Sequence, residues 1–179
     1  MTASAVRVDG TSASTVYIGI GSNLSRPAEQ VCRARKALAG MPKTRVLGFS
    51  PLYRNPALGR PGEQPDYVNA VAAIETGLAP HELLDALQAI EANQGRLRGS
   101  VRWEPRTLDL DLLVYGDRAI HDQRLTVPHP HMRERAFVLK PLLDVAPDLD
   151  IPGLGPVAAL LFGVSQASLQ RVDDPADPL

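Results

Sequence analysis

The 179-residue chain is long enough for one domain with a sizeable core, and its 44% hydrophobic and 22% charged residues are typical of a globular protein. Its net charge of −1 does not favour nucleic acid or a membrane surface as a partner, and no run approaches the roughly 20 apolar residues of a membrane helix. The single cysteine, Cys32, excludes an intramolecular disulfide, so we expect a reducing, cytoplasmic location. A monomer is compatible with the sequence, which does not itself determine the oligomeric state.

The first predicted elements follow a leader, residues 1–14, that we expect to be disordered. The β-rich residues 15–21 predict a strand that runs into a glycine turn. Ser25 is the predicted N-cap of a helix with a proline in its first turn, and Gly40 is its predicted C-cap. Residues 44–53 predict a second strand.

The middle of the chain alternates long loops with regular elements. Residues 54–65 hold three prolines and two glycines and predict a long loop, which in a compact domain is often functional. Residues 67–75 predict a strand, and Pro80 begins a helix with one apolar stripe that ends at Gly95. A second polar loop then leads to a strongly apolar strand at 107–115.

The final predicted elements are short. A turn at Gly116 separates the apolar strand from a paired segment, residues 118–120 with 124–127, and residues 133–144 predict a last helix containing Pro141. We expect residues 15–167 to form the domain and residues 168–179 to form a flexible tail. The order β-α-β-β-α-β with extra elements predicts an α+β, ferredoxin-like sandwich whose sheet contains antiparallel strands. That fold carries many activities and decides none of them.

Two aspartates interrupt the apolar strand Thr107-Leu-Asp-Leu-Asp-Leu-Leu-Val-Tyr115. Because side chains alternate along a strand, Asp109 and Asp111 project from the same face, with their backbones roughly 7 Å apart. Two adjacent carboxylates repel each other, and a divalent cation such as magnesium removes that conflict. The alternative is a strand whose two carboxylates simply face solvent.

Four arginines, Arg96, Arg98, Arg102 and Arg106, precede Asp109 within a short segment. Guanidinium groups match the geometry of phosphate oxygens, so these arginines and the aspartates predict a clamp for a polyphosphate and its metal. The alternative is a solvated basic loop, and such a loop could also bind RNA.

The few aromatic residues suggest a site for a flat ring. Tyr67 and Asn69 alternate on one strand, so they share a face, while Phe137 lies on the last predicted helix. Two rings could enclose a heterocycle whose polar edge bonds to Asn69, although the residues alone favour ordinary core packing for Tyr67 and Phe137. His129 could contact a phosphate or merely occupy a turn.

Several strings together resemble the 6-hydroxymethyl-7,8-dihydropterin pyrophosphokinase family of folate biosynthesis. They are Ile20-Gly-Ser-Asn-Leu24, Gln64-Pro-Asp-Tyr-Val-Asn69, Gln88-Ala-Ile-Glu91, Arg96-Leu-Arg98, Arg102-Trp-Glu-Pro-Arg-Thr-Leu-Asp-Leu-Asp111 and Leu125-Thr-Val-Pro-His129. They occur in the family's order and cover about residues 15–160. The resemblance implies transfer of pyrophosphate from ATP to the pterin hydroxymethyl group, with release of AMP.

The resemblance also implies roles for individual residues. Asp109 and Asp111 would bind two magnesium ions, and Arg96 and Arg106 would assist the transfer. The implied pterin site consists of Gly21, Asn55, Leu58, Tyr67, Asn69, Trp103 and Phe137. The implied ATP site consists of Gln88, Glu91, Arg98, Trp103, Arg106, Leu112, Arg124, Thr126, His129 and Arg135. The two long loops would close over both substrates.

Some positions depart from the family's pattern. Asn55 and Ala57 stand where Thr and Pro are usual, Pro130 and His131 stand where Tyr and Asp are familiar, and Gly99 replaces a frequent basic residue. These changes affect the details of nucleotide contact and loop closure. Two other classes remain as alternatives: a ferredoxin-like RNA-binding module, and a kinase that moves one phosphoryl group and yields ADP.

Overall fold

A computed structural model of the chain describes residues 7–8, 11–58, 64–95 and 107–175. Its strands are β1 (Arg7–Val8), β2 (Thr11–Ser12), β3 (Ser14–Ser22), β4 (Thr44–Phe49), β5 (Leu52–Asn55), β6 (Tyr67–Thr76), β7 (Asp109–Tyr115), β8 (Ile120–His121), β9 (Thr126–Val127), β10 (Asp150–Ile151), β11 (Gly155–Pro156) and β12 (Gln170–Val172). Its α-helices are α1 (Pro27–Ala39), α2 (Pro80–Asn93), α3 (Ala136–Val145) and α4 (Val157–Phe162). A 3-10 turn, Met132–Glu134, precedes α3.

The main sheet is antiparallel throughout, with the strand order β12-β5-β6-β3-β7 and with β4 also paired to β6. From β3 to β7 the elements follow the order β-α-β-β-β-α-β, which is the predicted β-α-β-β-α-β with its second strand divided into β4 and β5. The predicted α+β, ferredoxin-like class is therefore confirmed, and the hairpin of β8 and β9 is one of the predicted additions. Among the described residues, no helix has the length and hydrophobicity needed to cross a bilayer.

The sheet is covered on both faces because its central strands carry apolar side chains on both sides. On one face Ile18, Ile20 and Leu110 pack in a buried cluster that includes residues of α1 and α2. On the other face Val71 and Leu113 pack with residues of α3 and α4. The helices cover this second face only in part, and beside α3 a pocket lies over Gly19 and Gly21 of β3.

The strand predicted at residues 44–53 is divided into β4 and β5 at Ser50 and Pro51. Proline has no backbone N–H, so it cannot continue the hydrogen-bond ladder of a strand. Ser50 bridges the gap, because its backbone N–H donates to Val71 O at 2.9 Å and its Oγ accepts from Val71 N at 2.8 Å. The break lets β4 and β5 pair with successive parts of β6 and brings Asn55 opposite Tyr67.

The predicted N-cap at Ser25 is wrong, whereas the C-cap at Gly40 is confirmed. Helix α1 begins at Pro27, and its N-cap is Arg26, which has a left-handed backbone with φ 59° and makes no side-chain capping bond. Ser25 also has a positive φ of 52°. Two consecutive left-handed residues turn the chain into the helix here, so that the Ser25 carbonyl accepts a hydrogen bond from Gln30 Nε2 at 3.1 Å.

The predictions for the chain ends are also partly wrong. Residues 7–8 and 11–12 of the predicted disordered leader form the paired strands β1 and β2. In the predicted flexible tail, residues 170–172 form β12, which pairs with β5, and Asp174 bonds to Arg35 of α1. Periodicity missed both because such strands are too short to show a pattern; β1 and β2 pair only with each other, whereas β12 pairs with the open edge of β5. Helix α4 was also missed, because its six residues are all apolar and too few to show a helical periodicity, although only Val157 and Leu161 are buried.

Candidate active site

The floor of the pocket is a strip of backbone in the centre of the sheet. Gly21 lies between Asn69 of β6 and Asp109 of β7, and Gly19 lies between β6 and Asp111. A Cβ atom on Gly21 would come within 2.9 Å of Asn69 Oδ1, a distance that such atoms essentially never show. The two glycines therefore leave room above the sheet for a ligand and for the Asn69 amide.

Asp109 and Asp111 both line the pocket above this floor, as their alternation on the strand predicted. The intervening and flanking residues Leu108, Leu110 and Leu112 are buried on the opposite face, which fixes the direction of both carboxylates. The backbone of β7 is further held by Glu91, whose Oε1 accepts a hydrogen bond from Leu110 N at 2.7 Å.

The two carboxylates fit magnesium better than a metal whose ligands must all be protein side chains. Among the described residues there is no group of three or more His, Cys, Asp or Glu side chains that could hold a metal ion. Magnesium commonly uses one or two carboxylates and completes its coordination with water and substrate phosphate oxygens. A structural zinc site would require four protein ligands.

Six of the seven residues predicted for the pterin site line one pocket of about 510 Å³. They are Gly21, Asn55, Leu58, Tyr67, Asn69 and Phe137. The volume lies in the range of small-molecule sites. The structure brings these residues together from β3, β5, β6, α3 and the segment after β5, and the aspartate pair lines the same pocket.

A basic side of the pocket is formed near the start of α3. Arg135 lines the pocket, and its Cζ lies 5.8 Å from the centre of the Phe137 ring, within the range of a cation–π contact. His129 and His131 line it as well. These groups face the same space as the two aspartates, so the pocket joins an acidic side to a basic side.

His129 is held as a neutral ring. Its backbone N–H donates to Leu113 O at 2.9 Å, and its Nδ1 accepts from the His131 N–H at 3.3 Å. Burial, with the charges of Arg135 and His131 adding to it and that of Asp109 opposing it, lowers the pKa of His129 to about 4. Because Nδ1 is an acceptor, we assign the proton of the neutral ring to Nε2, which can donate to a phosphate oxygen.

The residues predicted for ATP binding are less concentrated. His129 and Arg135 line the pocket, whereas Gln88 lies on α2 and Arg124 and Thr126 lie in or beside the β8–β9 hairpin. Arg124 forms an exposed ion pair with Asp85 of α2. The side chains of Glu91 and Leu112 are 5% and 4% exposed and pack inside the protein.

Four predicted site residues, Arg96, Arg98, Trp103 and Arg106, lie outside the described residues. Gly19 and Gln64 also line the pocket, although neither was among the predicted site residues. Gly19 had a usable signal, because it precedes Gly21 by two residues and shares its face, as Asp109 and Asp111 share theirs. Gln64 begins one of the strings that carry the family resemblance, but only the fold shows that it lies beside the sheet and lines the pocket.

Fold and site together define a class of protein: a small α+β domain whose pocket joins a flat, partly aromatic slot to a carboxylate pair suited to a divalent cation. The profile of the 7,8-dihydro-6-hydroxymethylpterin-pyrophosphokinase family matches residues 17–147. A 2-amino-4-hydroxy-6-hydroxymethyldihydropteridine pyrophosphokinase of Pseudomonas aeruginosa is 56% identical over 157 residues, which are 88% of this chain and 96% of the relative. The protein of the same name from Haemophilus influenzae is 51% identical over 138 residues, which are 77% of this chain and 85% of that relative.

A crystal structure of wild-type Plasmodium falciparum HPPK-DHPS is similar in fold, with a TM-score of 0.68 and 14% identity. The match covers 92% of this chain and 49% of that chain, so this chain spans about half of the larger protein. The chain belongs to the 7,8-dihydro-6-hydroxymethylpterin-pyrophosphokinase family, because the family profile and relatives above half identity agree over most of its length.

Proposed function

We propose that this chain transfers pyrophosphate from ATP to 6-hydroxymethyl-7,8-dihydropterin, giving the pterin diphosphate and AMP in tetrahydrofolate biosynthesis, and that the pocket above Gly19 and Gly21 is where it does so. The observation that carries the proposal is the placement of the heterocycle slot and the aspartate pair in one pocket of a chain that belongs to this family. The enzyme is an ATP-dependent diphosphotransferase.

In the proposed complex the pterin ring lies on the glycine floor, between Tyr67 and Phe137. The amide of Asn69 bonds to the polar edge of the ring, and backbone near Asn55 and Leu58 bonds beside it. This arrangement directs the hydroxymethyl group towards Asp109 and Asp111, since they line the same pocket across Gly21. Burial of a flat ring between two aromatic side chains supplies affinity and orientation together.

ATP is proposed to extend from the aspartate pair towards α2 and the β8–β9 hairpin. Gln88, Arg124 and Thr126 would contact the nucleoside part there, together with backbone beside Glu91 and Leu112. Arg135 and the Nε2–H of His129 would bond to phosphate oxygens. Arg96, Arg98, Trp103 and Arg106 remain proposed members of the ATP and transfer site on the strength of the sequence strings.

Asp109 and Asp111 are the proposed ligands of two magnesium ions, which would neutralise phosphate charge when bound. The pterin hydroxyl oxygen attacks the β-phosphorus of ATP in line, so that a P–O bond to the hydroxymethyl oxygen forms. The bond between the β-phosphorus and the oxygen bridging to the α-phosphate breaks, AMP leaves with that oxygen, and the hydroxyl proton passes to solvent. We assign no general base among the described residues. Holding the hydroxyl close to the phosphorus supplies much of the acceleration. The protein is proposed to act as a monomer in the cytoplasm.

The product of a single incubation tests this function. Purified protein with ATP, magnesium and 6-hydroxymethyl-7,8-dihydropterin should yield AMP and the pterin diphosphate in equal amounts. ADP instead of AMP would indicate transfer of one phosphoryl group, and salt-sensitive RNA binding without turnover would indicate a binding module.

The Asp109→Ala variant tests the metal assignment. We expect AMP formation to fall by about 1000-fold or more, since this carboxylate is a proposed ligand of the magnesium ions that neutralise the phosphate charge. The fold should be unchanged, because the carboxylate faces the pocket and not the core. Asp117→Ala removes an exposed carboxylate just beyond the same strand and should retain full activity. Near-normal turnover of Asp109→Ala would contradict the assignment.

A further inference from the structure

The amides of Asn55 and Asn69 form a buried pair at the wall of the pocket. Asn55 is 6% exposed and Asn69 is 7% exposed, and they come from the neighbouring strands β5 and β6. Asn69 Nδ2 donates to Asn55 Oδ1 at 2.5 Å. A buried amide pair of this kind has a definite orientation, because reversing one amide places two acceptors or two donors against each other.

The orientation of the pair is set by a backbone atom. Asn55 Nδ2 donates to the carbonyl oxygen of Pro56 at 3.0 Å, and a carbonyl oxygen can only accept. The amide nitrogen of Asn55 must therefore face Pro56, and its Oδ1 must face Asn69. Asn69 in turn must present its nitrogen to Asn55, which leaves its own Oδ1 on the other side.

That remaining oxygen lies over the pocket floor. Asn69 Oδ1 is 2.9 Å from the position that a Cβ of Gly21 would take, above the strip of backbone that lines the pocket. A carboxamide oxygen accepts hydrogen bonds and cannot donate them. The wall of the pocket thus offers a fixed acceptor at this point.

We infer that Asn55 is a positioning residue that holds Asn69 Oδ1 towards the pocket, so that the site selects a heterocycle whose edge carries N–H donors. This inference rests on the proposed function and refines it. The 2-amino-4-oxo edge of a pterin carries such donors in its amino group and its ring N–H. A ring with an acceptor at the same place would force Asn69 to reverse, which would bring its Oδ1 against Asn55 Oδ1.

The experiment measures discrimination between ligands rather than affinity alone. Binding constants are determined by calorimetry, with magnesium and a non-hydrolysable ATP analogue, for 6-hydroxymethylpterin and two isosteric analogues. One analogue has a 2-oxo group in place of the 2-amino group, and the other has C–H in place of the ring N–H. The readout is the larger of the two ratios of the analogue dissociation constant to the pterin dissociation constant.

Wild-type protein should show a ratio of about 10 or more, because a mismatched buried polar pair costs about this factor. Asn55→Leu removes both amide atoms at similar volume, so Asn69 can reverse, and the ratio should fall by about 5-fold. Asn55→Ala gives the same information if the leucine variant does not fold. Asn55→Asp, measured at pH 8, keeps an acceptor facing Asn69 and should keep the ratio within about 2-fold of wild type.

A matched control removes a different buried amide. Asn23 is 1% exposed and its Nδ2 bonds to Gln64 Oε1 and Pro65 O at 3.3 and 3.4 Å, so Asn23→Leu reports the general cost of losing such bonds and should leave the ratio unchanged. The inference is overturned if wild type does not discriminate, if the leucine and alanine variants keep its ratio, or if the aspartate variant loses it as they do. Failure of the wild-type protein to form AMP would overturn the proposed function instead.

Discussion

The pterin end and the nucleotide end of the proposed active site are formed by different parts of the fold. The pterin end rests on the central strands β3 and β6, where backbone and buried amides such as Asn69 define the shape. The nucleotide end uses α2 and the β8–β9 hairpin, where Arg124 and Asp85 are more than half exposed. In the proposed complex, recognition of the pterin is therefore tied to the packing of the core, whereas recognition of ATP depends on surface groups that can change with little effect on the fold. Variants at the two ends should separate these effects.

The largest effect in this comparison is expected from Gly21→Ala. The new Cβ would lie 2.9 Å from Asn69 Oδ1, so the amide must move or the strands must separate. We expect a loss of about 1–3 kcal/mol in the free energy of unfolding and at least about a 10-fold weaker pterin affinity. Affinity for a non-hydrolysable ATP analogue should change little.

The matched control is Gly48→Ala, because a Cβ at Gly48 meets nothing within 4 Å. Chemical denaturation and calorimetry measure both variants. Equal pterin affinity in the two variants would show that the glycine floor does not shape the site.

The next largest effect is expected from protonation of His129, which lines the pocket together with the proposed pterin residues and the aspartate pair. The unfolded chain protonates this ring near pH 6.5, whereas the folded protein, in which burial lowers the pKa, protonates it near pH 4. Between these values the unfolded state binds more protons, so the free energy of unfolding should fall as the pH falls from about 6.5 to 4. We expect a loss of roughly 1–2 kcal/mol after solvent screening, measured by denaturation in chelator without nucleotide.

The His129→Gln variant should lack this component of the pH dependence. If its stability follows the same curve as the wild-type protein between pH 6.5 and 4, another group is responsible.

A smaller effect is expected where α3 is joined to the sheet. Tyr53 Oη donates to Asp144 Oδ2 at 2.5 Å, Asp144 also pairs with Lys140, and the Lys140 Nζ lies 5.7 Å from the centre of the Tyr53 ring. Burial, with the Asp144 bond adding to it, raises the pKa of Tyr53, so the phenol keeps its proton. Because Tyr53 is two residues before Asn55 and Lys140 is three after Phe137, this cluster fixes two walls of the pterin slot relative to each other.

Tyr53→Phe should lower the free energy of unfolding by about 1 kcal/mol, the usual net contribution of one hydrogen bond. It should also raise KM for the pterin several-fold while KM for ATP stays constant. A parallel rise in both KM values would show that the cluster supports the whole fold and not the slot.

The smallest effect is expected from Asp85→Ala at the nucleotide end. An ion pair this exposed contributes about 0–1 kcal/mol, so thermal unfolding should be nearly unchanged. The variant leaves Arg124 without this ion pair, so KM for ATP should change by no more than a few-fold. KM for the pterin should stay unchanged. A marked loss of pterin affinity would mean that the two ends are not separate, and would contradict the comparison.

Local signals in the sequence were sufficient where one element carries its own pattern. The alternation in β7 predicted that Asp109 and Asp111 share a face and that Leu108, Leu110 and Leu112 are buried opposite them, as the structure shows. The order of elements predicted the ferredoxin-like class. Local signals failed where pairing with a distant segment decided the outcome. The tail residues 170–172 became β12 because β5 had an open edge.

The sequence by itself therefore determined the family, the fold class and the acidic pair, because each depends on residue types at short, fixed spacings. Only the tertiary structure decided which face of Gly21 receives the Asn69 amide and which way that amide points. The reason is physical: the orientation follows from a chain of contacts through Asn55 to the carbonyl of Pro56, and these atoms meet only when β5 pairs with β6. A strand pattern predicts the face of a side chain, but only its partners determine which atom it presents to a ligand.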